Sequence, residues 1–144
     1  MSEPARGRPR VLVVDDDRRL LEVLATFLDR AGFDVTTAAD GVEALRAALH
    51  GFDVITTDFD MPHMNGHEFI QRLHDLPIPP VPVLMLTGLL PDESFAECAE
   101  PCHVMTKPCR LGELADMLRL LLTMCSHDRF SCSACPCSSR LPSA

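Results

Sequence analysis

The chain has 144 residues, with 13 Lys and Arg against 21 Asp and Glu, a formal net charge of −8, 47% apolar residues and 24% charged ones. At about 150 residues per domain this implies one domain with room for a proper core, and the apolar fraction excludes wholesale disorder. The negative balance argues against direct binding to nucleic-acid phosphates or anionic lipid, and no apolar run approaches the ~18 residues of a membrane-spanning helix. After Met1–Arg10 only four apolar residues precede Asp15. That is too short for a signal-peptide core, so a cytoplasmic location is expected.

In chain order the pattern alternates strand and helix. Val11–Val14 is an apolar, mostly β-branched run, as in a strand buried on both faces. Arg18–Ala31 places Leu20, Leu24, Phe27 and Leu28 at helical spacing, with Gly32 as the stop. Val35–Ala38 reads as a weak strand. Asp40 then caps a helix over Val42–His50, with Val42, Leu45 and Leu49 expected inward and Gly51 past its end.

Val54–Thr57 is the third strand and runs into Asp58. A loop with Pro62, Asn65 and Gly66 leads to a helix from about His67, with Phe69, Ile70 and Leu73 on one side. Pro77, Pro79, Pro80 and Pro82 forbid helix and give a stiff extended connector. Val83–Leu86 is the fourth strand, Pro91–Glu100 a short helix bounded by prolines, and Val104–Thr106 the fifth strand. Leu111–Met124 closes the series, with Leu114, Leu118, Leu121 and Leu122 apolar. The alternation predicts an α/β fold: a doubly wound five-stranded parallel sheet with helices on both faces.

In such a sheet ligands sit beyond the carboxyl ends of the strands. Asp15, Asp16 and Asp17 follow the first strand, Asp58 the third, Thr87 the fourth and Lys107 the fifth. Asp17 reads as the cap of the first helix. The remaining carboxylates, gathered on one rim, would repel one another unless a cation joined them. An oxygen-only donor set favours Mg²⁺. A carboxylate beside Mg²⁺, with an ammonium and a hydroxyl nearby, suits acceptance of a phosphoryl group.

The runs Val11-Leu-Val-Val-Asp15-Asp16-Asp17, Asp53-Val-Ile-Thr-Thr-Asp58-Phe-Asp-Met-Pro62 with Asn65-Gly66, Val83-Leu-Met-Leu-Thr87-Gly88 and Thr106-Lys107-Pro108 stand in order at the strand ends. In them the chain resembles the receiver domain of bacterial two-component response regulators, over about residues 10–124. The resemblance implies a flavodoxin-like receiver fold. It also implies a phosphoacceptor, Asp58, that takes its phosphoryl group from a sensor histidine kinase or a phosphotransfer protein. Asp15 and Asp16 would hold Mg²⁺ with Asp58, and Asp60 would lend its backbone carbonyl. Thr87 would be the switch hydroxyl and Lys107 the cation on the phosphoryl oxygen, with a cis bond before Pro108. The expected division is a flank over 1–9, a receiver over 10–124 and a tail over 125–144.

The chain also departs from the family pattern. Val104 stands where the family usually has an aromatic whose ring swings inward with the threonine, and Cys109 where Phe is common. Leu89, two residues past Thr87, cannot orient water, so slow self-dephosphorylation is expected. The stretch from Thr87 to Lys107 is a residue or two short.

The expected role is that of a single-domain switch or shuttle in a phosphorelay, a signalling domain rather than an enzyme, acting through an output protein whose identity stays open, as does the oligomeric state. Two alternatives remain. One is a degenerate receiver used only as an interaction module. The other is an Asp-x-Asp phosphatase of the haloacid-dehalogenase type, which Asp58-Phe59-Asp60 matches as a fragment. His63, His67 and His74 read as a solvated face rather than a metal site. Of seven cysteines, Cys125, Cys132, Cys135 and Cys137 fall in the last 20 residues. That Ser- and Pro-rich tail reads as disordered, with a zinc or redox site as the alternative.

Overall fold

The computed structural model describes residues 7–79, 81–88, 103–107 and 109–125. The elements are β1 (Arg10–Val14), α1 (Arg18–Arg30), β2 (Asp34–Ala38), α2 (Gly41–Ala48), β3 (Val54–Asp58), α3 (Gly66–His74), β4 (Val83–Thr87), β5 (His103–Thr106) and α4 (Leu111–Cys125). The strands form one parallel sheet in the order β2-β1-β3-β4-β5. The fold is thus the five-stranded, doubly wound α/β sheet that the alternation predicts. The expected helix over 91–100, Cys98, Cys102, the Lys107–Pro108 bond, Leu89 and the cysteines past Cys125 lie outside the described residues.

The two-residue period of a strand divides the core in two. Leu12, Val14, Ile55, Val83 and Met85 face one side and pack with Phe69, Ile70 and Leu73 of α3. Val11, Val13, Val54, Leu84 and Leu86 face the other side and pack with Leu24 and Leu28 of α1 and Leu114 and Leu118 of α4. Both faces are dry, which is why β1 reads as an unbroken apolar run rather than an alternating one.

Local chemistry sets the helix ends. The Asp17 carboxylate accepts from the backbone N–H groups of Arg19 and Leu20 at 3.0 and 3.2 Å, the capping role expected of it. Past the other end of α1, Gly32 takes φ 105°, a conformation that costs a side-chain-bearing residue more. Asn65 and Glu68 close a capping box on α3, with bonds of 2.9 and 3.1 Å.

Two expectations need correction. Helix α2 does not turn Val42 and Leu49 inward: they are 51% and 53% exposed. Gly41, Ala44 and Ala48 face the core instead, with Leu45 half-buried beside them. A Cβ at Gly41 would meet Met64 Sδ at 2.6 Å, so any larger residue there requires the Met64 side chain to move. Nor do the three histidines share a solvated face. His63 and His74 are exposed, but His67 is buried, its ring edge-on to Phe59 at 5.2 Å.

Candidate phosphoacceptor site

Each predicted site residue stands at or just past a strand end, on the carboxyl rim. Asp15 follows β1, and its N–H donates to the Ala38 carbonyl at 3.1 Å, extending the pairing with β2. Its Oδ1 accepts from the Asp17 N–H at 2.9 Å, which turns the carboxylate over the rim. Asp58 is the last residue of β3, in register with Leu86. Thr87, the last residue of β4, is fully buried, and its carbonyl accepts from the Lys107 N–H. That bond carries the chain out of β5 with the lysine beside the carboxylates.

The side chains converge. Lys107 Nζ lies 3.0 Å from Asp58 Oδ1 and 3.4 Å from Asp15 Oδ2. Carboxylate oxygens of Asp15, Asp16 and Asp58 all lie within 4.8 Å of one another. Asp15 and Asp58 are buried, whereas Asp16 is exposed and forms the mouth of the cluster. Asp60 is also exposed and its carboxylate is not part of the cluster.

The electrostatics are asymmetric. Burial pushes the Asp58 carboxyl above its ordinary range; the Lys107 hydrogen bond and charge pull it back, while Asp15 and Asp16 push with the burial. Burial works to lower the Lys107 ammonium, but Asp58, with Asp15 behind it, outweighs that and holds it above its ordinary value. The ammonium has carboxylates on more than one side, whereas Asp58 has one ammonium against two like charges. Such a cluster is short of positive charge, and its donors are all hard oxygens, the set that fits Mg²⁺.

Thr57 was not among the residues singled out by the sequence. It is buried, and its Oγ1 donates to the Asp58 carbonyl at 3.0 Å, bracing the strand end from within. Only its place beside Asp58 in a Thr-Thr-Asp run hinted at this. Val104, in register with Met85 on β5, is half-buried against the α3-side core. Lys107 also lines an apolar cavity of about 220 Å³ with Cys109, Leu20, Leu24 and Leu86.

Among the described residues no helix is long and apolar enough to cross a membrane. The family model for the response regulator receiver domain matches residues 11–119. The transcriptional regulatory protein PrrA of Mycobacterium tuberculosis is 38% identical over 116 residues, which cover 79% of this chain and 50% of that protein. The chain spans about half the length of the curated relatives of this kind that it matches. Among solved structures, the Francisella response regulator 1452 receiver domain superposes with TM-score 0.71 at 32% identity, covering 81% of this chain and 98% of that one. The signal receiver domain of a histidine kinase from Syntrophus aciditrophicus gives TM-score 0.73 at 30% identity, covering 83% and 93%. With the fold, the rim of carboxylates and the family match in agreement, the chain belongs to the response regulator receiver domain family, the phosphoacceptor signalling domain of two-component systems.

Proposed function

We propose that Asp58 accepts a phosphoryl group from the phosphohistidine of a sensor histidine kinase or a phosphotransfer protein. In that reading the phosphorus–nitrogen bond breaks, the imidazole leaves, and an acyl phosphate forms on an Asp58 carboxylate oxygen. Asp15, Asp16 and Asp58 would hold Mg²⁺, with the Asp60 backbone carbonyl. When bound, Mg²⁺ supplies positive charge to the equatorial phosphoryl oxygens. Lys107 orients the acceptor carboxylate before transfer and binds a phosphoryl oxygen after it, and the Thr87 hydroxyl donates to another. The observation that carries this reading is the convergence of one ammonium on a buried carboxylate flanked by two more.

The functional unit is the receiver over 10–124, with flanks at 1–9 and 125–144. Its place of action is the cytoplasm, and its output runs through a partner protein as a relay switch or shuttle. Transcriptional regulation is what PrrA's name says of PrrA. Incubation with acetyl phosphate and Mg²⁺ should add one phosphoryl group to the intact mass, and Asp58→Asn should abolish it. An unchanged adduct in that variant contradicts the assignment.

Val104 favours a second reading, a receiver used as an interaction module. A half-buried valine has no ring to swing inward, so the usual aromatic route from phosphorylation to output does not exist at this position. Partner binding that is identical with and without phosphorylation would select this reading.

A further inference from the structure

The start of α3 packs directly against the end of β3, beside Asp58. The Phe59 N–H donates to the Leu86 carbonyl at 2.9 Å, and the Phe59 carbonyl accepts from the Gly66 N–H at 2.8 Å. The loop between them folds back tightly: Met64 N–H reaches the Pro62 carbonyl at 2.8 Å, and His63 takes φ 72°, in the left-handed region. Gly66 is buried under this turn. A Cβ there would stand 3.0 Å from Phe59 Cα, 3.1 Å from the Asp58 carbonyl oxygen and 2.9 Å from Met85 Cε. The next residue, His67, is buried with its ring edge-on to the Phe59 ring, at an interplanar angle of 76°.

We propose that Gly66 and His67 are positioning residues for the acceptor strand end: the bare Cα of Gly66 sets how deep the Asp58–Phe59 backbone sits, and the His67 ring holds Phe59 against it. The inference rests on reading Asp58 as the phosphoacceptor. Neither residue touches the reacting atoms. Both act through the 58–59 backbone, which aims the Asp58 carboxylate and leads directly into the carbonyl of Asp60. Of the three neighbours a Cβ at 66 would meet, Met85 Cε is the end of a flexible side chain, whereas the other two are backbone. A methyl group at 66 therefore displaces the acceptor backbone by a few tenths of an ångström even where Met85 gives way. On a scale where ~1 Å of misplacement costs ~10²-fold, that amounts to roughly two- to sixfold.

The test measures Mg²⁺ affinity by calorimetry without any phosphodonor and, separately, the initial rate of phosphoryl uptake from acetyl phosphate. Gly66→Ala is expected to slow uptake roughly two- to sixfold and to weaken Mg²⁺ binding measurably, and Gly66→Ala/Met85→Ala should keep both defects because the backbone contacts remain. Gly112→Ala, made where an added Cβ meets nothing within 4 Å, should match the wild type. Wild-type values in Gly66→Ala, or their recovery in the double variant, overturn the proposal. Should Gly66→Ala not fold, the His67 pair decides. His67→Phe, which keeps a ring against Phe59, should bind Mg²⁺ like the wild type, and His67→Ala several-fold more weakly. Equal affinities would overturn the proposal. A wild type that takes up no phosphoryl group, alongside a Gly66→Ala that still shifts Mg²⁺ affinity, sinks the phosphoacceptor reading and leaves the positioning claim standing.

Discussion

Lys107 Nζ sits 3.0 Å from Asp58 Oδ1, although the two residues are 49 positions apart, Asp58 ending β3 and Lys107 standing just past β5, with β4 between. The contact exists because parallel strands deliver all their carboxyl ends to one rim. The Thr87 carbonyl also binds the Lys107 N–H, so the lysine leaves β5 in register with the strand beside it. The same contact makes Lys107 a competitor for any metal, since it neutralises the oxygens that a cation would use. Replacing it by Gln is expected to strengthen Mg²⁺ binding measured by calorimetry while slowing uptake of phosphoryl from acetyl phosphate. Weaker Mg²⁺ binding in Lys107→Gln would show that the ammonium is not in competition.

The raised Asp58 pKa bears on stability. Folding makes this carboxyl hold its proton more tightly, so its ionisation costs native stability, and that cost is present once the pH has risen above the folded pKa. At neutral pH without metal, Asp58→Asn should raise the melting temperature, by about 3–5 °C per kcal/mol relieved. Mg²⁺ should stabilise the wild type more than this variant. Calorimetric melting with EDTA and with Mg²⁺ checks both statements.

Helix α2 offers a test of packing. Leu49 is on the outer face, so Leu49→Ser should change stability by no more than about 0.5 kcal/mol. Ala44 is fully buried, and Ala44→Leu should cost about 1–3 kcal/mol or more through overpacking. Phe69, also fully buried, should cost about 3–5 kcal/mol when truncated to Ala. Urea unfolding ranks the three. A costly Leu49→Ser beside a neutral Ala44→Leu would mean the helix is turned the other way.

Burial pushes the Cys109 thiol above its ordinary range, with the Glu113 charge adding to it and Lys107 opposing. A raised thiol pKa leaves little thiolate at neutral pH, and the thiolate is the nucleophile. Alkylation of Cys109 by iodoacetamide should therefore be slow at pH 7.5 and keep accelerating beyond the pH where an ordinary thiol levels off. Peptide mass spectrometry against time and pH measures this rate.

Much of the fold is legible from apolar runs because a doubly covered parallel sheet leaves few ambiguous strands. Val11–Val14, Val54–Thr57 and Val83–Leu86 have nowhere to be but the interior. The strand-end rule alone puts Asp15, Asp16, Asp58, Thr87 and Lys107 on one rim. What failed was side-chain size. Val42 in α2 and Leu49 at its C-cap are large and apolar and so read as inward, but the buried residues are Gly41, Ala44 and Ala48, which hydrophobicity ranks lower. His67 likewise escaped a reading by spacing, because its environment depends on the Phe59 ring brought up by a tight loop. Gly66 was visible as a motif letter, and only the packing shows why no side chain fits there.

The most direct test of the central claim locates the phosphoryl group itself. Protein treated with acetyl phosphate and Mg²⁺ is reduced with borohydride, which converts an aspartyl phosphate to homoserine, then digested and sequenced by mass spectrometry. Homoserine is expected at position 58, with unmodified aspartate at 15, 16 and 60. Homoserine at any of those three positions, or no conversion at 58 in protein that binds Mg²⁺, would contradict the central claim.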